Sequence, residues 1–180
     1  GIGLINFTKS INRLKPDISI ILGDRFEALS FAICCYINQI PICHIHGGEI
    51  TSGSFDDGIR HSITKFSYLH FTSTEQYRKR VIQLGEDPSR VFNVGALAVD
   101  NILNTEFYKQ SELEQKLGVK FKKYNFLITF HPSTLKYKNA EVEFVQLLEA
   151  LSSIDNSLLI FTKANADPSG RRINELIDNF

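Results

Sequence analysis

Methionine is absent from this sequence, its net charge is zero, and cysteine occurs only three times, and each scarcity narrows what the chain can be. A natural reading frame starts with methionine, whereas this one opens Gly-Ile-Gly inside a helical pattern and closes on an amphipathic helix with no strand after it. Both ends are therefore expected to be cut, leaving an internal fragment. Without a basic excess or stripe there is no electrostatic footprint for nucleic acid or for an anionic membrane surface. No apolar run approaches the ~18 residues a membrane span requires, and nothing reads as a signal peptide, so no membrane partner is expected. Cys34, Cys35 and Cys43 all lie in apolar runs, which suits buried reduced thiols in the cytoplasm better than a disulfide framework or a metal knuckle.

What is present fits an ordered α/β protein. The 180 residues are 43% hydrophobic and 22% charged, enough for one complete domain or two partial ones. Apolar periodicity predicts helices over 2–14, 26–38, 56–66, 73–83 and 97–103, with Pro16 stopping the first and Ser73 capping the fourth through a Ser-x-x-Gln box. Between them, 17–22, 40–45, 68–71 and 90–94 read as short strands. The isoleucine run in 17–22 suits a parallel strand covered on both faces, and the apolar residues nearly all round 26–38 suit a deeply buried helix. Strand alternating with helix argues for right-handed crossovers and an open parallel sheet. Residues 105–124 are richer in Lys, Glu and Gln, with a short helix at 111–117, and read as a connection between domains. The pattern restarts with strands at 125–130 and 158–162 and helices at 139–151 and 171–180. The division expected is 1–104 for the later part of a first domain, 105–124 for the connection, and 125–180 for the start of a second.

Candidate chemistry gathers where strands end, the edge at which open α/β sheets hold ligands. Asp24, His46, Glu49, Asp56 and Asp57 fall just after a strand or at the start of the next helix, and Gly47-Gly48 lets the chain turn sharply between them. A second group stands after the later strands: His131, then Asn165 and Asp167. If the two sheets face each other, both groups border one cleft, an arrangement suited to a nucleotide-linked substrate. Plainer readings stand beside these. Asp24 reads equally as a cap for the next helix, Asp56 is placed to cap its own, and His44 reads as a packed strand residue. His44 and His46 share a strand face but lack a third ligand at a recognisable spacing, so no metal is expected.

The blocks GDRFEAL at 23–29, HIHGGEITSGSFDDGIRHSITK at 44–65, RVFNVGALAVDNI at 90–102, TFHPST at 129–134 and NAD at 165–167 resemble, in order, the hydrolysing UDP-N-acetylglucosamine 2-epimerases. The resemblance implies two Rossmann-like domains of the glycosyltransferase-B kind, parallel sheets flanked by helices, both incomplete here. It implies a UDP-sugar substrate, either UDP-N-acetylglucosamine or a 2,4-diacetamido analogue, converted with water to UDP and the free 2-epimeric sugar for sialic- or legionaminic-type acids. Neither metal nor cofactor is implied, and relatives suggest a dimer or tetramer. By the same resemblance Asp24, Glu49, Asp56 and His131 are the catalytic candidates, while Arg25, His46 and Asn165 are substrate-binding. The sequence departs from the family at His46, where several members have glutamate, so that either His46 takes over a proton transfer or Glu49 moves in to do it. Glu49 is the expected one, given its adjoining glycine pair. A second departure is Ala164, where relatives often have proline. A glycosyltransferase-B transferase and a non-catalytic nucleotide-sugar-binding protein are the alternatives, and these 180 residues alone are expected to lack turnover.

Overall fold

Strands Ser19–Leu22 (β1), Ile42–Ile45 (β2), Leu69–Thr72 (β3) and Val91–Asn93 (β4) pair in parallel in the order β1-β2-β3-β4. They lie in a computed structural model that describes residues 1–132, 139–165 and 169–180 and divides into two units, Gly1–Thr105 and Glu106–Phe180. Helices Ile2–Leu14 (α1), Phe26–Ile37 (α2), Asp56–Phe66 (α3), Glu75–Gln83 (α4) and Leu97–Asn104 (α5) complete the first unit.

Strands added in one direction by right-handed crossovers put their connecting helices on the same face of the sheet. Ile21 and Ile42, neighbours of Ser19 and His44 along that face, accordingly pack with Ile11, Ala32, Cys35 and Ile63 from α1, α2 and α3. The opposite face is different: Ile20 is 67% and Leu22 59% exposed. Among the described residues this second face of β1 stands uncovered, while the first is packed by α1, α2 and α3. The helix at 26–37 is likewise only half sunk, with Ala32, Cys34 and Cys35 buried while Tyr36 and Ile37 face outward. All three cysteines are free and buried, and burial pushes the Cys35 and Cys43 thiols up.

In the second unit Tyr124–Ile128 (β5) pairs in parallel with Ser157–Phe161 (β6), and helices Gln110–Leu117 (α6), Ala140–Ser152 (α7) and Gly170–Asn179 (α8) accompany them. Its core is aromatic, with Phe144 fully buried between Phe130 at 5.0 Å and Phe161 at 6.3 Å, and Ile173 of α8 beneath. The Glu114 carboxylate in α6 accepts from Lys120 Nζ, the Phe121 N–H and Gln110 Nε2, and these donors hold its pKa down to about 2. No helix among the described residues is long and apolar enough to cross a membrane.

Candidate active site

Arg60 organises the first unit's strand ends. It lies on α3 four residues after Asp56, is 3% exposed, and its guanidinium reaches out of the helix toward the exits of β1 and β2. Nη2 donates to the Asp24 carboxylate and to Thr51 Oγ1 (2.9 Å), while Nη1 donates to Asp57 Oδ1 (2.6 Å) and the Glu49 carbonyl (2.7 Å). A planar fork with its donors at fixed angles is what allows one side chain to tie four groups at once. Asp57 in turn accepts the Thr51 N–H at 2.9 Å, so the loop between β2 and α3 closes on its own helix.

These contacts decide two readings that the sequence left open. Asp24 does not cap α2, whose N-cap is Arg25 without a side-chain cap; its carboxylate is turned to Arg60. Asp56 does not cap α3 either. The N-cap there is Phe55, and the Asp56 N–H donates to Ser54 Oγ at 3.1 Å. The capping box at Ser73 is also corrected: Thr74 is the N-cap of α4, accepting from the Tyr77 N–H at 3.2 Å. Ser73 is thereby released, and its hydroxyl donates to Glu49 Oε1 at 2.7 Å. Nδ1 of His46 lies 3.0 Å from that same oxygen.

His44 is fully buried on β2, two residues before His46. Nε2 lies 2.8 Å from the Gly23 carbonyl and Nδ1 3.2 Å from Thr64 Oγ1. A carbonyl only accepts, so the proton sits on Nε2, and the Thr64 hydroxyl donates to Nδ1. Burial drives the His44 pKa down to about 4 against the opposing pull of the Gly23 carbonyl. The neutral ring thus tethers the turn that carries Asp24. Its strand neighbour His70 is also buried, 3.1 Å from Glu86, with burial outweighing that carboxylate to lower its pKa.

The remaining candidates belong to the second unit. His131 follows β5 and is exposed; Asn165 follows β6, next to Ala164, whose N–H and carbonyl are both bonded by the Asn174 side chain at 2.7 and 3.0 Å. Asn174 and Arg171 border a surface depression that includes Asn165. Asp167 and the Ser133-Thr134 pair lie outside the described residues. Arg25, beside Asp24, stands 3.3 Å from Glu27. Among the described residues no group of three or more His, Cys, Asp or Glu gathers as a metal site.

Arg60, Ser73 and Asn174 were missed by sequence reasoning. The only local signal was the three-residue spacing of Asp57 and Arg60 on one helical face.

A family model described as UDP-N-acetylglucosamine 2-epimerase matches residues 1–180. Over 174 residues the chain is 50% identical to the hydrolysing GDP/UDP-N,N'-diacetylbacillosamine 2-epimerase of Campylobacter jejuni, covering 97% of this chain and 45% of that protein. It is 46% identical over 165 residues to the polysialic acid biosynthesis protein P7 of Escherichia coli, covering 91% and 42%. Among solved structures, the UDP-GlcNAc 2-epimerase from Neisseria meningitidis bound to UDP-GlcNAc is similar with a TM-score of 0.73 at 17% identity, over 96% of this chain and 49% of that one. The chain spans about half the length of these relatives.

Proposed function

This chain belongs to the UDP-N-acetylglucosamine 2-epimerase family, and from that premise we propose that its protein is a hydrolysing 2-epimerase. Water and a UDP-linked 2-acetamido sugar enter; UDP and the free 2-epimeric sugar leave. The substrate is UDP-N-acetylglucosamine or a UDP-2,4-diacetamido sugar, the latter supported by the activity named for the Campylobacter relative. The Escherichia coli relative's role supports a place in making sialic-type acids. Buried reduced thiols at Cys34, Cys35 and Cys43 support a cytoplasmic location. A homo-oligomeric state, dimer or tetramer, belongs to the same proposal.

The observation that carries the reading is the crowding of Asp24, His46 and Glu49 at the strand exits, with Asp56 in the first turn of α3. Removing the weakly acidic proton at C2 while UDP departs from C1 needs a base on one face and positive charge or N–H groups beside the diphosphate. The intermediate is a 2-acetamidoglucal. Water then adds to C1 while a proton reaches C2 from the opposite face, so a second acid–base group is required. Asp24, Asp56 and the His46–Glu49 pair supply these groups, and Arg25, His131 and Asn165 serve the diphosphate and nucleotide.

The test is product analysis by NMR with the full-length protein and each sugar nucleotide. UDP and a free 2-epimeric sugar are expected, and Asp24→Asn or Asp56→Asn should slow turnover by ~100-fold or more while UDP binding persists. Sugar transfer to an acceptor with no free 2-epimer would overturn the proposal.

A further inference from the structure

The segment leaving β6 is bound along one face of α8. Ile128 and Phe161 are the last paired residues of the second sheet, and the Thr162 N–H still donates to the Ile128 carbonyl at 2.9 Å, so Lys163, Ala164 and Asn165 come after the paired strands. Gly170, Asn174 and Asp178 stand four residues apart on α8 and therefore share a face. Each meets one residue of the segment in turn: Asp178 pairs with Lys163 Nζ, Asn174 bonds Ala164, and Gly170 lies against the Asn165 carbonyl. The Lys163–Asp178 pair is exposed at both ends and holds little by itself, so the two inner contacts place the segment.

The middle contact reads the backbone. Asn174 Oδ1 accepts from the Ala164 N–H at 2.7 Å and Nδ2 donates to the Ala164 carbonyl at 3.0 Å, so one side-chain amide takes the place of a neighbouring strand's peptide group. A carboxylate could accept but not donate, and an apolar side chain could do neither. Ala164 is buried with Phe144, Leu148 and Ile173, so its two polar backbone atoms are carried into the unit's core and both need partners. Gly170 sets the next residue. A Cβ there would overlap the Asn165 carbonyl oxygen, so the Asn165 backbone reaches this place only over a glycine.

Asn165 is the residue given to the nucleotide in the function proposed above, and a ligand contact on a loop is only as precise as the support beneath it. We propose that Asn174 is a positioning residue for nucleotide binding and that, with Gly170, it fixes where Asn165 meets the UDP half of the substrate. The inference rests on the 2-epimerase reading and on the place of Asn165 in it. Asn174 bonds the loop backbone and acts through Asn165. Its loss therefore removes binding that substrate and transition state share, which raises KM and the Kd for UDP together and leaves kcat nearly unchanged.

The experiment measures UDP affinity by calorimetry, together with steady-state kinetics, for the full-length wild type, Asn174→Leu, Gly170→Ala, Asn165→Ala and the double variant Asn174→Leu/Asn165→Ala. Asn165→Ala removes one hydrogen bond to the nucleotide and should raise the Kd for UDP about tenfold. Asn174→Leu is of similar size but cannot hold the Ala164 backbone, and Gly170→Ala suits a helix yet displaces the Asn165 carbonyl; each should weaken UDP by about the same factor. In the Asn165→Ala background Asn174→Leu should add little, because the residue it positions has lost its side chain. Wild-type UDP affinity in Asn174→Leu or Gly170→Ala, a fall in kcat at constant KM, or losses that multiply in the double variant would overturn the assignment and leave the epimerase reading intact. An Asn165→Ala protein that binds UDP as tightly as wild type would overturn both the nucleotide role of Asn165 and this inference. Should Asn174→Leu fail to fold, Gly170→Ala, alone and combined with Asn165→Ala, decides in the same way.

Discussion

Arg60 binds two carboxylates, a hydroxyl and a backbone carbonyl from three separate stretches of chain, and is itself almost wholly buried. Breaking a fully buried ion pair strands the surviving charge at about 3–5 kcal/mol. Here Asp24 and Asp57 keep 23% and 32% exposure, so solvent recovers part of that. Arg60→Lys, which keeps the charge and loses the fork, is expected to cost ~2 kcal/mol in urea unfolding; an unchanged midpoint would contradict the network. His44 gives a pH signature. Its ring stays neutral in the folded protein down to about pH 4, while the unfolded chain protonates it near 6.5. The unfolded state therefore binds more protons between those values. Stability from this group is full above pH 6.5, falls as pH drops toward 4, and is flat below, for a total of up to about 3 kcal/mol. His70, lowered by its own burial, adds in the same direction. His44→Gln should flatten the fall between pH 6.5 and 4 in urea titrations, and an unaltered slope would contradict the assignment.

The turn between β2 and α3 is fixed by α4 as much as by its own residues. Gly48 has φ 81°, a Cβ there would stand 2.5 Å from the Tyr77 carbonyl, and its own carbonyl accepts from Arg80. Gly48→Ala combines the wrong torsion with a backbone clash and is expected to destabilise by more than ~1 kcal/mol, read as a fall of several degrees in Tm. A wild-type Tm would show that the loop and α4 yield more freely than their packing indicates. At this scale most of the fold was legible: α1 and α3 carry apolar residues at helical spacing, and their spans match the periodicity. What failed were choices between near-equivalent local partners. Ser73 and Thr74 both can cap α4, and the sequence box favoured Ser73; the observed Ser73 contact is to Glu49, 24 residues away. Asp24 looked like a cap because its partner Arg60 is 36 residues distant. Such pairings depend on how crossovers fold back, which no local pattern encodes.

Across the molecule, two parallel sheets occur in two units, and the acid-bearing loops belong to the first while His131 and Asn165 belong to the second. The repeated strand and helix order made the architecture readable, since parallel strands require crossovers and right-handed crossovers fix their side. The chemistry proposed for the whole enzyme requires hydrogen at a ring carbon to exchange with solvent as UDP departs. Turnover of the full-length protein in D2O tests this most directly: the account predicts UDP together with a free 2-epimeric sugar bearing deuterium at C2, and release of a sugar that retains its original hydrogen there would contradict it.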